Sequence, residues 1–567
     1  STHACGVIIA REPVVNYVPL YARDGIVSTQ YIMTTLEELG LLKMDFLGLR
    51  TLTVIQDTID LVKKNQGIDV QFDEKMNDPK VYKLWQNGDS VGIFQFESQG
   101  MTNFMKELKP DCLEDIIAGV SLYRPGPMDQ IPRYIANKKD PEHAVYTHPS
   151  LKPILEVTYG CMVYQEQVMQ IVRDLAGYSL GRADLVRRAM GKKKLEVMAK
   201  EREIFIHGQV DENGNVVVPG CVRNGIDERA ADKIFDEMAE FAKYAFNKSH
   251  AAAYAVVSYR TAYLKAYYPA EFMAAMLNSF LGNQDKIPGY VEECKRLAIE
   301  ILKPDINKSD TKFTVDKNQI RFGMGSIKNV GTDAVDNIVA ERERNGDYKD
   351  FSDFCERIKD LGVNKKCVES LIKAGSFDNL GQTRKTLIAS FEKIIDMISD
   401  SGKKSFEGQV SMFDLGGSKE VEEMKYTYTT LPEYEPKDLL SMEKEMLGLY
   451  ISGHPLEDMR EQIEAKTNIN TFQLRQISSE NEMSLEEQGE FKREQTYEEH
   501  QTEFKDGQNV TYAGIITSVK KKYTKNNKLM AFVTIEDLYG PTEFIVFDSC
   551  YQACSSSLIA VSYTHLT

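Results

Sequence analysis

Asp45 is the first residue whose type and setting could support chemistry. It lies in the segment LLKMDFLGLR, where an apolar run typical of a strand ends in a carboxylate, and Lys43 stands two residues earlier on the same predicted face. A carboxylate flanked by apolar side chains is costly unless it holds a cation or a charged partner. The segment therefore indicates a cation site, although a strand-end Asp could equally cap the helix predicted from about Thr51.

A strongly basic segment, GRADLVRRAMGKKK, runs from Gly181 to Lys194 and carries six basic residues against one Asp. If Gly181 to Met190 is helical, Arg187 and Arg188 extend from neighbouring positions. Planar guanidinium groups suit phosphate oxygens, so the cluster could neutralise a triphosphate or a nucleic-acid backbone. The alternative is a solvated helix face whose cations favour the carboxyl end of the helix.

An aromatic and polar segment, YAFNKSH, runs from Tyr244 to His250 just ahead of the Ala-rich run AAAYAVVSYRTAYLKAYY. Tyr244 and His250 could stack on a base or contact a sugar. A packed tyrosine and a helix cap at Ser249 would explain the same residues. From the residues alone, both interpretations stay open.

A short motif, QVSMF, occupies 409–413 within a Gly-, Ser- and Lys-rich segment that reads as a mobile linker from Asp400 to Gly417. Met412 and Phe413 have no core to join there, so with Gln409 they are candidates for docking into a pocket of a partner. A five-residue pattern such as QVSMF occurs often by chance. Its position in a polar linker is what favours a role in docking.

The periodicity of the chain indicates the elements that position these residues. Residues 1–56 alternate strand and helix patterns and include a buried strand that ends near Leu47. Residues 57–300 are mainly helical, with a Gly/Asn hairpin in VDENGNVVVPG. Two similar units of turn, helix and Gly follow, around Gly323–Val339 and Gly362–Leu371. Such hairpins can present backbone N–H groups to phosphates without reading sequence.

The last third of the chain differs in character. Residues 420–465 are helical and amphipathic, and 466–505 are rich in Gln and Glu, which favours disorder or a solvated helix. After Gly507 the sequence alternates at period two around a turn. This alternation predicts a β-meander of about four strands, as part of a small barrel.

Composition sets limits on the class of protein. At roughly 150 residues per domain, 567 residues suggest three or four domains. A net charge of −16 would argue against a nucleic-acid partner, because phosphates require local positive potential. The charge is uneven, however: Glu480–Lys505 holds nine Glu against three cations, in contrast to the basic segment.

Other features of the sequence concern location and completeness. Nine Cys occur singly, without a Cys-x-x-Cys pair, which indicates reduced cytosolic thiols rather than a zinc site or disulfides. We find no apolar run of membrane-spanning length and no secretory leader. A start at Ser1, without Met, suggests a fragment.

Ten segments occur in one order and together resemble the C-family DNA polymerases, specifically the DnaE-type α subunits of bacterial DNA polymerase III. They span roughly residues 3–455, and 508–548 is similar to the OB domain of the family. The segments are HACGVII, PLYARDG, GLLKMDFLGLRTLT, VGIFQFES, SLYRPGPM, YQEQVMQI, RRAMGKKK, FNKSHAAAYA, AEFMAAMLNS and GLYISGHPL.

The resemblance implies roles for the candidate residues. Three Asp residues of the family palm bind two Mg²⁺ ions, which activate the primer 3′-hydroxyl and stabilise the leaving pyrophosphate. Asp45 matches the third of these Asp residues, and Lys43 matches a palm lysine near the incoming nucleotide. In the fingers, Arg187 and Arg188 match arginines that contact the triphosphate. Tyr244 and His250 are similar to residues that line the nucleotide pocket.

The resemblance also implies partners and location. Primer–template DNA and dNTPs would be bound, with 322–378 gripping duplex DNA and the OB domain near the single-stranded template. Gln409, Met412 and Phe413 are similar to the internal motif for the sliding clamp β. The clamp-loader τ subunit would bind through a region missing here, and a proofreading subunit is a further candidate partner. The expected location is the bacterial cytoplasm, near the nucleoid, with no membrane contact.

The implied architecture is multidomain and mainly α, with an α/β palm remnant, helical fingers, tandem helix-hairpin-helix units and a partial OB-type barrel. The expected domains are the carboxyl-terminal part of the palm (1–56), the fingers (57–300), the tandem helix-hairpin-helix region (301–399), a linker with the clamp motif (400–419), a helical segment with an acidic linker (420–505) and a truncated OB-type domain (506–567).

The sequence also departs from the family. The other two catalytic Asp residues form a close pair upstream of anything in this chain, so we expect the polypeptide alone to be inactive although its parent polymerises DNA. The final residues, VSYTHLT, match nothing in the family. Two alternatives stay open: a noncatalytic module that binds DNA and the sliding clamp, and an error-prone translesion paralogue.

Overall fold

The computed structural model describes residues 6–23, 25–46, 48–124, 127–191, 195–241, 246–281, 283, 286–406, 428–471, 474, 507–523, 528–538 and 540–558. Tyr244 and the QVSMF motif lie outside these residues, as do Lys192–Lys194. The described part is mainly helical with small sheets, which confirms the mainly α class. Within it, no helix is both long enough and apolar enough to cross a membrane.

Residues 6–46, the amino-terminal ribbon, are built from two antiparallel strand pairs and one short helix. Strands β1 (Gly6–Ile9) and β4 (Leu42–Asp45) pair along their length, and β2 (Leu20–Arg23) pairs with β3 (Ile26–Thr29). Helix α1 (Met33–Glu38) leads into β4.

One face of the β1–β4 pair is exposed, so the prediction of a buried strand is wrong. Leu42 and Met44 are 59% and 42% exposed, and Val7, opposite Met44, is 49% exposed. An antiparallel pair can bury one face and leave the other in solvent, and an apolar run does not distinguish the two cases. Beneath the pair lies a small core of Val18, Leu36 and Leu41.

A long helical region follows the ribbon and confirms the prediction for 57–300. Its helices are α2 (Arg50–Gln66), α3 (Pro79–Asn87), α4 (Gln99–Leu108), α5 (Leu113–Leu122), α6 (Ile131–Lys139), α7 (Lys152–Leu155), α8 (Gln165–Ala176), α9 (Leu180–Gly191), α10 (Leu195–His207), α11 (Glu228–Phe241), α12 (Lys248–Tyr267), α13 (Pro269–Asn278) and α14 (Ile287–Arg296). The predicted hairpin is formed by β5 (Gln209–Val210) and β6 (Val216–Val218).

Two cores lie within this region, and a third joins its helices α2, α13 and α14 to later elements. One core lies among α3–α6 and α12 and contains Trp85, Phe96 and Tyr259. The other lies among α7–α11 and contains Phe205 and Phe235, whose rings are 5.7 Å apart. Helices α8 and α11 bury the apolar faces that their sequence periodicity predicts.

The paired turn–helix units are present as predicted. Strands β7 (Glu300–Leu302), β8 (Thr314–Asp316) and β9 (Gln319–Arg321) form a small sheet in the order β7-β9-β8. Then follow α15 (Thr332–Asn345), α16 (Phe351–Ile358), α17 (Lys365–Lys373), α18 (Arg384–Phe406), α19 (Pro436–Leu447) and α20 (Arg460–Lys466). Residues 400–406, predicted as the start of a linker, continue α18 as helix. One core joins these units to α2, α13 and α14.

Three strands of the predicted β-meander are described. They are β10 (Ile515–Tyr523), β11 (Leu529–Asp537) and β12 (Gly540–Val546), paired antiparallel in that order, followed by α21 (Asp548–Cys554). Lys444 of α19 forms an ion pair of 2.6 Å with Glu536 of β11 and so ties this sheet to the helical region. Closure into an OB-type barrel stays a prediction.

A buried charge cluster fixes the carboxyl end of α12. The Lys265 ammonium is fully buried, donates to the carbonyls of Asp89 (2.8 Å) and Val91 (2.7 Å), and pairs with Glu293 at 2.7 Å. Arg296 adds two hydrogen bonds to the same carboxylate. Burial lowers the pKa of Lys265. Burial alone would raise the pKa of Glu293, but Arg296 and Lys265 together bring it below its ordinary value.

Replacement of Lys265 by Met should destabilise the protein by about 3–5 kcal/mol, because it leaves a buried carboxylate and two carbonyls short of a donor. Thermal and urea denaturation of the variant would measure the loss. Because the folded pKa of Glu293 is depressed, the stabilisation of its charged form is present at neutral pH and is lost as the pH falls through that pKa. Lys83→Met, at an exposed position of α3, is the matched control. Equal stability of the two variants would contradict the prediction.

Candidate functional site

Helix α9 presents the two predicted arginines, and one carboxylate orients both. Arg187 donates to Asp184 Oδ1 through Nη2 (2.7 Å) and Nε (3.1 Å), and Arg188 Nε lies 2.8 Å from Asp184 Oδ2. The hydrogen bond from Arg187 lowers the pKa of the Asp184 carboxyl. Arg188 is 64% exposed, so its guanidinium is open to solvent, whereas Arg187 is only 21% exposed. The helix predicted over 181–190 is confirmed.

Gln165, at the start of α8, connects Arg187 to the FNKSH segment. Its side-chain oxygen accepts from Arg187 Nη1 at 2.8 Å, and its backbone N–H donates to the carbonyl of Phe246 at 2.9 Å. Tyr164 and Phe246 form an isolated parallel bridge at the same point. Two segments 82 residues apart in the chain are thereby held side by side, with the basic helix against them.

The amino ends of α8 and α12 meet at this bridge. Glu166 of α8 accepts from the backbone N–H of Lys248 (3.0 Å) and from the Asn247 amide (2.8 Å) at the start of α12. A carboxylate is favourable there because the first N–H groups of a helix carry positive partial charge. Asn247 caps α12 by accepting from the His250 N–H at 2.9 Å. The cap considered at Ser249 is therefore wrong, since Ser249 already lies inside the helix.

A row of rings leads away from the bridge along α12. The His250 ring lies 5.3 Å from Phe246, edge to face, and 4.3 Å from Tyr254. Above Phe246 sits the Arg124 guanidinium, 3.7 Å from the ring centroid, a typical cation–π distance. His250 and Arg124 are both exposed. Cations and planar rings thus line one surface, which suits a ligand that has both phosphates and an aromatic base.

We call this surface the arginine–aromatic cluster and define it by Arg124, Gln165, Asp184, Arg187, Arg188, Phe246 and His250. The sequence predicted Arg187, Arg188 and His250 as site residues but assigned no role to the others. Arg124 lies in SLYRPGPM and Gln165 in YQEQVMQI, two segments that carried the family resemblance. Their position in those two segments was the sequence signal that pointed to Arg124 and Gln165 as site residues.

The remaining predicted residues lie elsewhere or outside the described part. Lys43 and Asp45 are on β4 of the amino-terminal ribbon, where the register sets Lys43 opposite Ile8 and Asp45 opposite Gly6. Asp45 ends its strand, as predicted. Tyr244 and the clamp residues Gln409, Met412 and Phe413 lie outside the described residues; their roles stay predictions.

The helix-hairpin-helix region offers two open helix starts. Gly331 precedes α15, and a Cβ placed on it would meet nothing within 4 Å. Gly362, with φ of +74°, precedes α17 and is equally open. Lys365 and Lys366 are exposed in the first turn of α17. At α17 the Asn364 side chain accepts from the Cys367 N–H at 2.9 Å, whereas α15 has no side-chain cap. Uncapped backbone N–H groups and exposed lysines suit phosphate groups of a nucleic-acid backbone.

One other cluster, Asp111, Cys112 and Asp115, has the composition of a metal site. Lys138 already pairs with both carboxylates, since its Nζ lies 2.5 Å from Asp115 and 3.4 Å from Asp111. Burial raises the pKa of Cys112 to about 11, so its thiol is protonated at neutral pH. An ammonium occupies the place that a metal ion would need.

Three family models match the chain in the order of these structural regions. Residues 1–48 match the model described as the bacterial DNA polymerase III alpha NTPase domain, and 51–213 match the bacterial DNA polymerase III alpha subunit finger domain. Residues 298–387 match a helix-hairpin-helix motif. The arginine–aromatic cluster straddles the matched finger region and the start of α12.

Curated relatives agree with the models along nearly the whole chain. The DNA polymerase III subunit alpha of Borreliella burgdorferi is 41% identical over 565 residues, which is 99% of this chain and 46% of the relative. The subunit from Thermus aquaticus is 42% identical over 568 residues, 98% of this chain and 43% of the relative. The subunit from Bacillus subtilis is 38% identical over 560 residues, 98% of this chain and 46% of the relative.

The helical fold, the helix-hairpin-helix units and these matches define a bacterial DNA polymerase component. The chain belongs to the DnaE-type family of DNA polymerase III α subunits, as its sequence motifs predicted. It spans about half the length of the curated relatives it matches.

Proposed function

We propose that the chain supplies the fingers and a duplex-binding region of a replicative DNA polymerase, which adds dNTPs to a primer 3′-hydroxyl on a template. The observation that carries this proposal is the arginine–aromatic cluster. It brings Arg187, Arg188 and Arg124 beside the Phe246 and His250 rings. A nucleoside triphosphate has the two features that such a surface recognises, a multiply charged phosphate chain and a flat base.

The two arginines of the cluster differ in the exposure of their side chains, and we infer different roles for them. Arg188 is mostly exposed and pairs with Asp184 through Nε, while Arg187 is held by both Asp184 and Gln165. A guanidinium that is already fixed by hydrogen bonds loses little conformational entropy when it binds a phosphate. An exposed arginine side chain can change rotamer to reach a phosphate. We assign Arg187 the positioning of the triphosphate and Arg188 its neutralisation.

Duplex binding is assigned to the paired helix starts after Gly331 and Gly362. Backbone N–H groups there would contact phosphates and carry no base preference, as a replicative enzyme requires. Base selection then comes from pairing with the template. We also propose the clamp-loader τ subunit and a proofreading subunit as partners of the polymerase, and only the family resemblance supports these two.

The residues of the chain fit the family metal site only in part. Asp45 ends β4 and supplies one carboxylate, with Lys43 on the same strand. One carboxylate does not hold two Mg²⁺ ions for phosphoryl transfer, so we derive no step through the metals. We propose that the 567-residue polypeptide alone does not extend primers. Robust Mg²⁺-dependent extension by the purified chain would overturn this.

Replacement of Asp45 by Asn in the complete polymerase should abolish nucleotide incorporation and leave DNA binding nearly unchanged, because it removes a metal ligand and no phosphate contact. Primer extension and fluorescence anisotropy with primer–template measure the two effects. Asp60→Asn, at an exposed position on α2, is the control and should be fully active. Normal extension by the Asp45 variant would show that Asp45 is not a catalytic metal ligand.

Replacement of Arg187 by Ala should raise the KM for dNTP by roughly ten- to a hundredfold, from the ~1.5–3 kcal/mol of a hydrogen bond to a charged group. Affinity for primer–template should change little. Arg173→Ala is the control, since Arg173 lies on α8 and pairs at the surface with its neighbour Asp174. Steady-state kinetics at saturating DNA give both values, and an unchanged KM would remove Arg187 from the nucleotide site.

The sliding clamp is the proposed partner of Gln409, Met412 and Phe413. Replacement of Met412 and Phe413 by Ala should spare synthesis on short templates and abolish stimulation by the clamp, because two apolar anchors are lost. Product length on a long primed template, with and without clamp, measures the effect. Full processivity in the double variant would show that the motif is a coincidence.

A further inference from the structure

A cavity of about 310 Å³ lies between the two cores of the helical region, apart from the arginine–aromatic cluster. One wall is the turn over Pro127–Gln130 with α6, and the other is the carboxyl end of α11. Its size falls at the lower end of the range for small-molecule sites. Neither the family resemblance nor the proposed polymerase activity assigns this cavity a ligand.

The floor of the cavity is apolar. Leu151 and Leu155 are 1% and 2% exposed, and Met162 is 8% exposed. Tyr146 and Phe241 also line the space. A ligand that fills the cavity therefore gains from an alkyl or aryl body, which removes this surface from water.

The walls carry an excess of negative charge. Asp129 lies on one wall, and Glu237 and Glu240 lie one helical turn apart on the other. Arg133 also lines the cavity, but its Nη2 donates to the carbonyls of Val145 (3.2 Å) and Gly160 (3.3 Å).

The lining residues carry three carboxylates against the one guanidinium of Arg133, which leaves a net charge of −2. Thr147 donates a hydroxyl to Glu237 at 2.8 Å, and the Lys233 ammonium reaches the same carboxylate only at 4.0 Å. Carboxylates above a low-dielectric floor concentrate negative potential in a concave space. A cation is the complementary charge.

We propose that this cavity binds a small organic cation, an ammonium or amidinium group carried on an alkyl or aryl body. The body lies on Leu151, Leu155 and Met162, and the cation is shared between the carboxylates of the two walls. Inorganic divalent ions match the floor poorly, because it offers them no oxygen ligands. Neutral aromatic molecules match the floor but leave the carboxylates unpaired.

Occupancy would tie the two walls together. Pro127 follows Arg124 by three residues and Phe241 precedes Phe246 by five, and Arg124 and Phe246 contact each other at 3.7 Å. A ligand that pairs with Asp129 and Glu240 therefore bridges the two segments that carry this contact. Since it would bind the folded chain and not the unfolded one, it should raise the melting temperature.

Benzamidine is the probe, with benzamide as its neutral counterpart of the same shape. Ligand-observed NMR and calorimetric titration of the full 567-residue chain should show benzamidine binding about tenfold or more tightly than benzamide. Added NaCl should weaken the binding, and benzamidine should raise the melting temperature. Equal affinity for the two probes, or no binding of benzamidine at millimolar concentration, overturns the proposal.

Variants locate the site. Glu237→Gln combined with Glu240→Gln should weaken benzamidine by about tenfold, and Asp129→Asn, on the opposite wall, should weaken it separately. Glu343→Gln, at an exposed position of α15, is the control and should bind as the parent does. Circular dichroism and melting without ligand establish that each variant folds. Unchanged affinity in the folded wall variants places the probe elsewhere and refutes the site.

Discussion

The contact between Gln165 and Phe246 is the constraint on which the candidate site depends. One backbone hydrogen bond and one isolated bridge hold the starts of α8 and α12 together. Arg187 reaches this point through the Gln165 side chain, and Arg124 reaches it through the Phe246 ring. Glu166 reinforces it by accepting from the first turn of α12. This contact places the arginines of α9 beside the rings of α12.

Helix α12 transmits that constraint across the molecule. Its 20 residues span about 30 Å, with the aromatic row at its amino end and the buried Lys265 cluster at its carboxyl end. Along the way Ser258 and Thr261 form hydrogen bonds with the backbone of Phe94, and the Tyr259 hydroxyl accepts from the N–H of Asp78. Because α13 and α14 share a core with the helix-hairpin-helix units, the surfaces proposed for nucleotide and for duplex are connected by packed helices.

Local charge, and not the net charge of −16, governs what the site can bind. Asp184 offsets one of the two arginine charges of α9 and orients both guanidinium groups, and Arg188 stays mostly exposed to a ligand. A contrasting arrangement occurs in the cavity beside α11, where Arg133 donates to carbonyls and three acidic residues are among the lining residues. In the arginine–aromatic cluster a carboxylate orients arginines, whereas in the cavity the carboxylates give the lining an excess of negative charge.

The sequence by itself determined the family, the mainly helical class, the turn–helix units, the hairpin at 209–218 and the helical setting of Arg187 and Arg188, because periodicity, turn residues and ordered motifs are local properties. The tertiary structure decided what depends on distant segments. β4 leaves one face exposed, and Gln165 and Arg124 join the site. Each of these follows from contacts between residues far apart in the chain, which no local pattern encodes.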